Sequence, residues 1–256
     1  MTVTPLPARE LARRAGAEFV GTGLLVAVVV GSGIAAQTLS ADTGLRLLEN
    51  ALATAGGLAV LILVLGPVSG GHFNPVVSVA DWWLGRATGN GLTAGQLGVY
   101  LPAQVVGGIC GTVLANALFA HPLVSWSQHP RSGANLLLSE VVATACLVVL
   151  IFALVRGGRF TVVPWAVGAY IGAAYWWTSS TSFANPAVTV ARAFSNTFAG
   201  IAPSSVAGFV GAQIVGLLVG VVGVLAFFPG AGLAADDVVV PHPDARSEPA
   251  TVGSPQ

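Results

Sequence analysis

The sequence predicts an all-α membrane protein of six transmembrane helices and two re-entrant half-helices, arranged as an inverted repeat of three helices plus three. Three observations carry this expectation. The 256 residues are 54% apolar and only 8% charged, with a mean hydropathy of +0.81, which excludes an ordinary soluble domain. Two Asn-Pro pairs, Asn74-Pro75 in SGGHFNPVVSVA and Asn185-Pro186 in STSFANPAVTVA, start helices where the hydrophobic pattern already places the backbone within a bilayer. Matched polar residues also recur in the same order in the two halves.

A helix needs roughly 20 mostly apolar residues to cross about 30 Å of hydrocarbon. Six stretches qualify, near residues 15–37, 50–68, 94–120, 136–156, 161–178 and 203–228. All are rich in Gly and Ala, and 33 glycines fit helices whose backbones touch. MTVTPLPARELARRAG lacks a signal-peptide cleavage site, so the first helix is expected to remain. The chain then divides into an N-terminal segment 1–14, a first repeat 15–130 with a half-helix from Asn74, a second repeat 131–230 with a half-helix from Asn185, and a tail 231–256. That tail is polar and Pro-rich, with Asp236, Asp237, Asp244 and Glu248, and is expected to be disordered.

The repeat rests on three pairs. Glu18 in AEFVGTGLLV matches Glu140 in SEVVATACLVV, Asn74 matches Asn185, and Gln104 in PAQVVGGICG matches Gln213 in GAQIVGLLVG. Three spans per half is an odd number, so the halves enter from opposite faces and their broken helices meet near the midplane. From Asn74 to Gly85 the half-helix would extend about 18 Å. Non-helical backbone at that depth is tolerated only where it is buried in protein or lines water, so a pore is expected. Arg9, Arg13, Arg14, Arg86, Arg156 and Arg159 fall on one side, against Arg46, Arg131 and Arg192, which places both termini in the cytoplasm.

At the midplane two half-helix N-termini present partial positive charge, and Asn74 and Asn185 can offer NH2 donors, with Val76 and Ala187 beside them. Cations are repelled there, while small neutral solutes with lone pairs pass. Glu18 and Glu140 are intramembrane acids. Their symmetry favours carboxylates that accept from the amides of the adjacent loop, with a proton relay as the alternative; Gln104 and Gln213 read as similar supports. His72 lines the cytoplasmic mouth or senses pH. Cys110 and Cys146 read as small buried residues. The four histidines show no ligand spacing, and no cofactor, metal, nucleic-acid partner or enzymatic activity is expected.

SGGHFNPV, the second Asn-Pro-Ala, the paired glutamates and the Gln repeats together resemble the major intrinsic proteins, the aquaporin and aquaglyceroporin family, over residues 11–228. The resemblance implies a pore in every subunit, a homotetramer in the plasma membrane and a passive flow of small neutral solutes. It also implies an outer selectivity filter, carried here by Thr54, Tyr175, Ser182 and Val188; counting back from Asn185 instead gives Ala173 for the fifth-helix position. Two departures matter. The first motif is Asn74-Pro75-Val76, and Val188 stands where most of the family has an Arg, so the filter is expected to lack a fixed cation. Arg192, four residues on, either reaches back to the outer mouth or sits among headgroups at the half-helix end. Absence of the filter Arg resembles a bacterial aquaglyceroporin subgroup associated with arsenic resistance, which implies glycerol, arsenite or methylated arsenicals as solutes. A water-selective channel and a proton-coupled secondary transporter are the alternatives.

Overall fold

The computed structural model describes residues 6–86 and 88–230; the tail expected to be disordered lies outside the described residues. Six long helices and two half-helices follow in order: α1 (Ala8–Leu39), α2 (Thr43–Ser69), the half-helix α3 (Pro75–Gly85), α4 (Ala94–Leu118), α5 (Ala134–Arg156), α6 (Val163–Trp177), the half-helix α7 (Pro186–Ala191) and α8 (Pro203–Phe227). Among the described residues there is no strand.

Five of the long helices are long and apolar enough to cross a membrane. The shortest, α6, has 15 residues and so extends about 22 Å. It stops where Thr178 turns extended and its hydroxyl takes the Ala174 carbonyl at 2.7 Å. At the other extreme α1 begins at Ala8, well before its apolar run, because Glu10 binds Arg13 at 2.6 Å and Arg14 at 2.8 Å across one helical turn.

Close packing follows from glycine placement. A Cβ on Gly107 of α4 would overlap the Phe19 carbonyl of α1, and one on Gly111 the Gly23 carbonyl. In the second half Gly216 of α8 stands in the same relation to α5, where a Cβ would lie 2.5 Å from the Val141 carbonyl oxygen. Small residues thus let α1 meet α4 and α5 meet α8 backbone to backbone. The outer faces are apolar as well: Leu52, Val64 and Val222 are exposed. Cys110 and Cys146, expected to be buried, lie on these exposed faces. In lipid the exterior is as apolar as the core, so hydropathy alone does not say which way such a residue points.

Each half-helix is capped by its own asparagine. Asn74 Oδ1 accepts from Val76 N at 3.1 Å, and Asn185 Oδ1 accepts from Ala187 N at 3.0 Å and Val188 N at 3.2 Å, with Pro at the first helical position in both. The halves differ in length: α3 has 11 residues, whereas α7 has six and passes into a single 3-10 turn, Arg192–Phe194. A loop after α4 holds that turn, with Ser125 N and Ser127 N donating to the Phe194 and Ala193 carbonyls, each at 3.0 Å.

Candidate functional site

The segments leading into α3 and α7 run through the interior without helical hydrogen bonds, so their amides need partners. Two buried carboxylates provide them. Glu18 accepts from His72 N at 3.0 Å and Phe73 N at 2.7 Å, and also from Ser69 Oγ at 2.6 Å and Gln104 Nε2 at 2.7 Å. Glu140 repeats the pattern with Phe183 N at 2.9 Å, Ala184 N at 2.8 Å, Ser180 Oγ at 2.6 Å and Gln213 Nε2 at 2.7 Å. Each glutamine also donates to a hydroxyl on its half-helix, Gln104 to Ser78 at 2.9 Å and Gln213 to Thr189 at 2.8 Å. Four donors around each carboxylate make these acids supports for the loops, behind the cavity and not on its wall.

The residue before each asparagine adopts a left-handed backbone, with φ of 47° at both Phe73 and Ala184. Neither is glycine, so each conformation costs about 1–3 kcal/mol and persists because its surroundings hold it. Its effect is to turn the Phe73 and Ala184 carbonyls towards the opposite half. Asn185 Nδ2 donates to Phe73 O and Asn74 Nδ2 donates to Ala184 O, both at 2.8 Å. The two half-helices are thereby tied tip to tip. Each amide carries two hydrogens, and one remains for the cavity that both asparagines line.

That cavity, about 50 Å³, lies between the two halves. Its walls come from matched positions: Leu25 and Val29 of α1 against Leu147 and Ile151 of α5, and Thr54, Leu58 and Ile62 of α2 against Val167, Ile171 and Tyr175 of α6. Four-residue steps keep each set on one helical face, and the eight helical rises from Thr54 to Ile62 cover about 12 Å of length. From the half-helix regions come Gly71 to Asn74, Ser182 to Asn185, Val77 and Val188. Val76 and Ala187, expected beside the asparagines, are buried but do not line the cavity; the residues one position on, Val77 and Val188, do. A first-turn residue faces the lumen only if it lies on the same side as the N-cap, and the positions three after each Asn meet that condition.

The two ends are unlike. At one end stand His72, Gly71, Ile62 and Val167, with His72 Nδ1 3.0 Å from Ser78 Oγ. At the other the wall gathers Thr54, Tyr175, Ser182, Val188 and Arg192, and the Thr54 and Tyr175 hydroxyls are 3.2 Å apart. Tyr175, and not Ala173, is therefore the α6 residue on this wall. Arg192 corrects two expectations, the headgroup placement and the cation-free filter. It is 2% exposed and on the cavity wall, in the 3-10 turn that follows α7. Its Nε donates to Ala199 O, and its guanidinium carbon lies 3.5 Å from the centroid of the Phe183 ring. Arg131, from the loop before α5, stacks on the same ring at 4.9 Å while donating to Gly200 O and Ser180 O at 3.0 and 3.4 Å. Burial pulls its pKa below the usual arginine value. Asp81, which occupies the place in the first half that Arg192 takes in the second, is buried and accepts from Leu92 N at 2.7 Å.

Residues 6–175 match the family model described as Major intrinsic protein. The chain belongs to the major intrinsic protein family. It is 51% identical over 207 residues to "Aquaglyceroporin AqpS" of Rhizobium meliloti, covering 81% of this chain and 86% of that one. It is 30% identical over 195 residues to "Glycerol uptake facilitator protein" of Pseudomonas aeruginosa, covering 66% and 67%. The X-ray structure of the aquaglyceroporin from Plasmodium falciparum superposes with a TM-score of 0.67 over 88% of this chain and 100% of that one; at 19% identity this speaks for the fold. Membership makes the protein a multi-pass membrane channel for small solutes, passive and not an enzyme.

Proposed function

We propose that the cavity is the solute path and that the channel passes uncharged polyols of glycerol size, together with water and undissociated acids such as arsenite and methylated arsenicals. The observation that carries this reading is the end of the cavity beyond the asparagines. Val188 occupies the wall position where most of the family has an Arg, and Thr54, Tyr175 and Ser182 line this end with hydroxyls alongside Arg192. A polyol finds hydrogen-bonding groups on one side there and an apolar wall on the other. Thr54, Tyr175, Ser182 and Val188 form the filter, and Asn74 and Asn185 hold the solute at the midplane with their remaining amide hydrogens while the half-helix N-termini repel cations. Kinship with an aquaglyceroporin and a glycerol facilitator supports the polyol.

The two repeats, 15–130 and 131–230, each contribute one half-helix; the assembly is a homotetramer in the plasma membrane with both termini cytoplasmic, so the Arg192 end faces outward. Stopped-flow light scattering on proteoliposomes tests the solute class with a panel of water, glycerol, urea, arsenite and methylated arsenicals. Glycerol and the undissociated arsenicals should equilibrate faster than in protein-free vesicles. Faster equilibration of water alone would replace this reading with a water-selective one.

A further inference from the structure

Arg192 is almost wholly buried and lines the cavity, yet among the described residues only its Nε has an acceptor. Arg131 rests on the same Phe183 ring, at 4.9 Å against 3.5 Å, so the two guanidinium carbons are separated by about 8.4 Å at most. Neither arginine has a carboxylate partner among the described residues. Glu140 is within electrostatic reach of both, but its oxygens are taken by the loop amides, Ser180 and Gln213. Two positive charges at one end of a narrow cavity therefore stand against a single carboxylate that is committed to the loop, an arrangement that is costly in a low-dielectric setting.

A second feature points the same way. The Ser182 hydroxyl is buried without a hydrogen-bond partner and lines the cavity beside Arg192. Thr54 and Tyr175 share a single hydrogen bond, so one of their two hydroxyl hydrogens is left over. Hydrogen-bonding groups from four segments line this end. At the opposite end the matched positions offer Gly71 and His72, and Asp81, the counterpart of Arg192, is off the wall.

We propose that Arg192, with Ser182 beside it and the field of Arg131 behind it, is a binding site for a small oxyanion, of formate or nitrate size, at the outer end of the channel. The inference rests on the cavity being the solute path. Arginine's planar fork of donors matches two oxygens of such an ion, and the paired charges favour it over water. Once bound, the ion goes no further. Elsewhere the wall offers Leu25, Val29, Leu147 and Ile151 and the two neutral asparagine amides, none of which replaces a charged, bidentate guanidinium. The oxyanion thus occupies the path of neutral solutes and throttles their flux from outside.

The test has two independent arms. Isothermal titration of sodium formate into the purified protein in detergent, with gluconate as an ion too large for the site, reads binding without reference to flux. Saturable formate binding should appear in the native protein, fall by about tenfold or more in Arg192→Met, persist more weakly in Arg192→Lys and weaken by a smaller factor in Arg131→Met. Glycerol and water entry into proteoliposomes, with external formate against equal gluconate, reads the consequence, and formate should slow entry in the native protein but not in Arg192→Met. Absence of formate binding to the native protein overturns the proposal, whatever the variants do. So does binding that survives unchanged in a folded Arg192→Met. Formate binding lost in Arg192→Met in a protein that passes no glycerol would uphold the site and sink the polyol reading instead.

Discussion

Replacing Glu140 by Gln tests the claim that one carboxylate holds the channel loop. Its two oxygens accept four bonds, from Ser180 Oγ and Phe183 N on one and from Ala184 N and Gln213 Nε2 on the other, at 2.6–2.9 Å. A Gln amide must set its NH2 against one of these pairs. Ser180 can rotate its hydroxyl to accept, and Gln213 can turn its amide, but the backbone N–H beside either one keeps its direction. At least one buried amide therefore loses its acceptor, which costs about 1–3 kcal/mol, and the remaining bonds drop from charge-assisted to neutral strength. The sum is about 3–5 kcal/mol. Intrinsic fluorescence during heating in detergent should show the melting midpoint lowered by about 10 °C. Glycerol flux should fall too, because Ala184 presents the carbonyl that holds Asn74. Glu18→Gln should do the same through Phe73 and Asn185. An unchanged midpoint and flux in both variants would refute the idea that the acids hold the loops.

Three further outcomes follow from the geometry. Asn74→Asp removes the donor to Ala184 O and sets a negative charge at the midplane; it should lower glycerol flux several-fold and admit sodium, read with an ion-sensitive dye inside the vesicles. Val188→Arg adds a second long cation to a wall that already holds Arg192, and should cut glycerol entry about tenfold while reducing water entry much less. Tyr175→Phe deletes the bond to Thr54, which should cost about 1 kcal/mol by thermal melting and slow glycerol more than water.

What could be read in the sequence was whatever the repeat wrote twice. Asn-Pro, Glu and Gln each recur with residue type and order intact, so the half-helix starts and their supports were legible from spacing. The strained turns were not. Phe73 and Ala184 adopt the same left-handed backbone, but no glycine marks either, because the carboxylates and the opposite asparagine impose it. Arg192 was misplaced because its spacing from Asn185 does not show that the loop before α5 binds the turn that carries it, where it is buried. Cys110 and Cys146 show the other limit, since inward and lipid-facing positions of a spanning helix are equally apolar. Arg131 gave no signal at all; a loop arginine becomes part of the site only through the Phe183 ring it shares.

The central claim is a pore that passes neutral solutes and refuses cations, and one preparation can test both halves of it. Vesicles carrying the protein and a sodium-sensitive dye are mixed with a glycerol gradient in sodium-containing buffer, and glycerol entry and dye signal are followed together. The expected result is glycerol entry well above that of empty vesicles with no rise in internal sodium. Glycerol entry no faster than in empty vesicles, or sodium entering alongside it, would contradict the account.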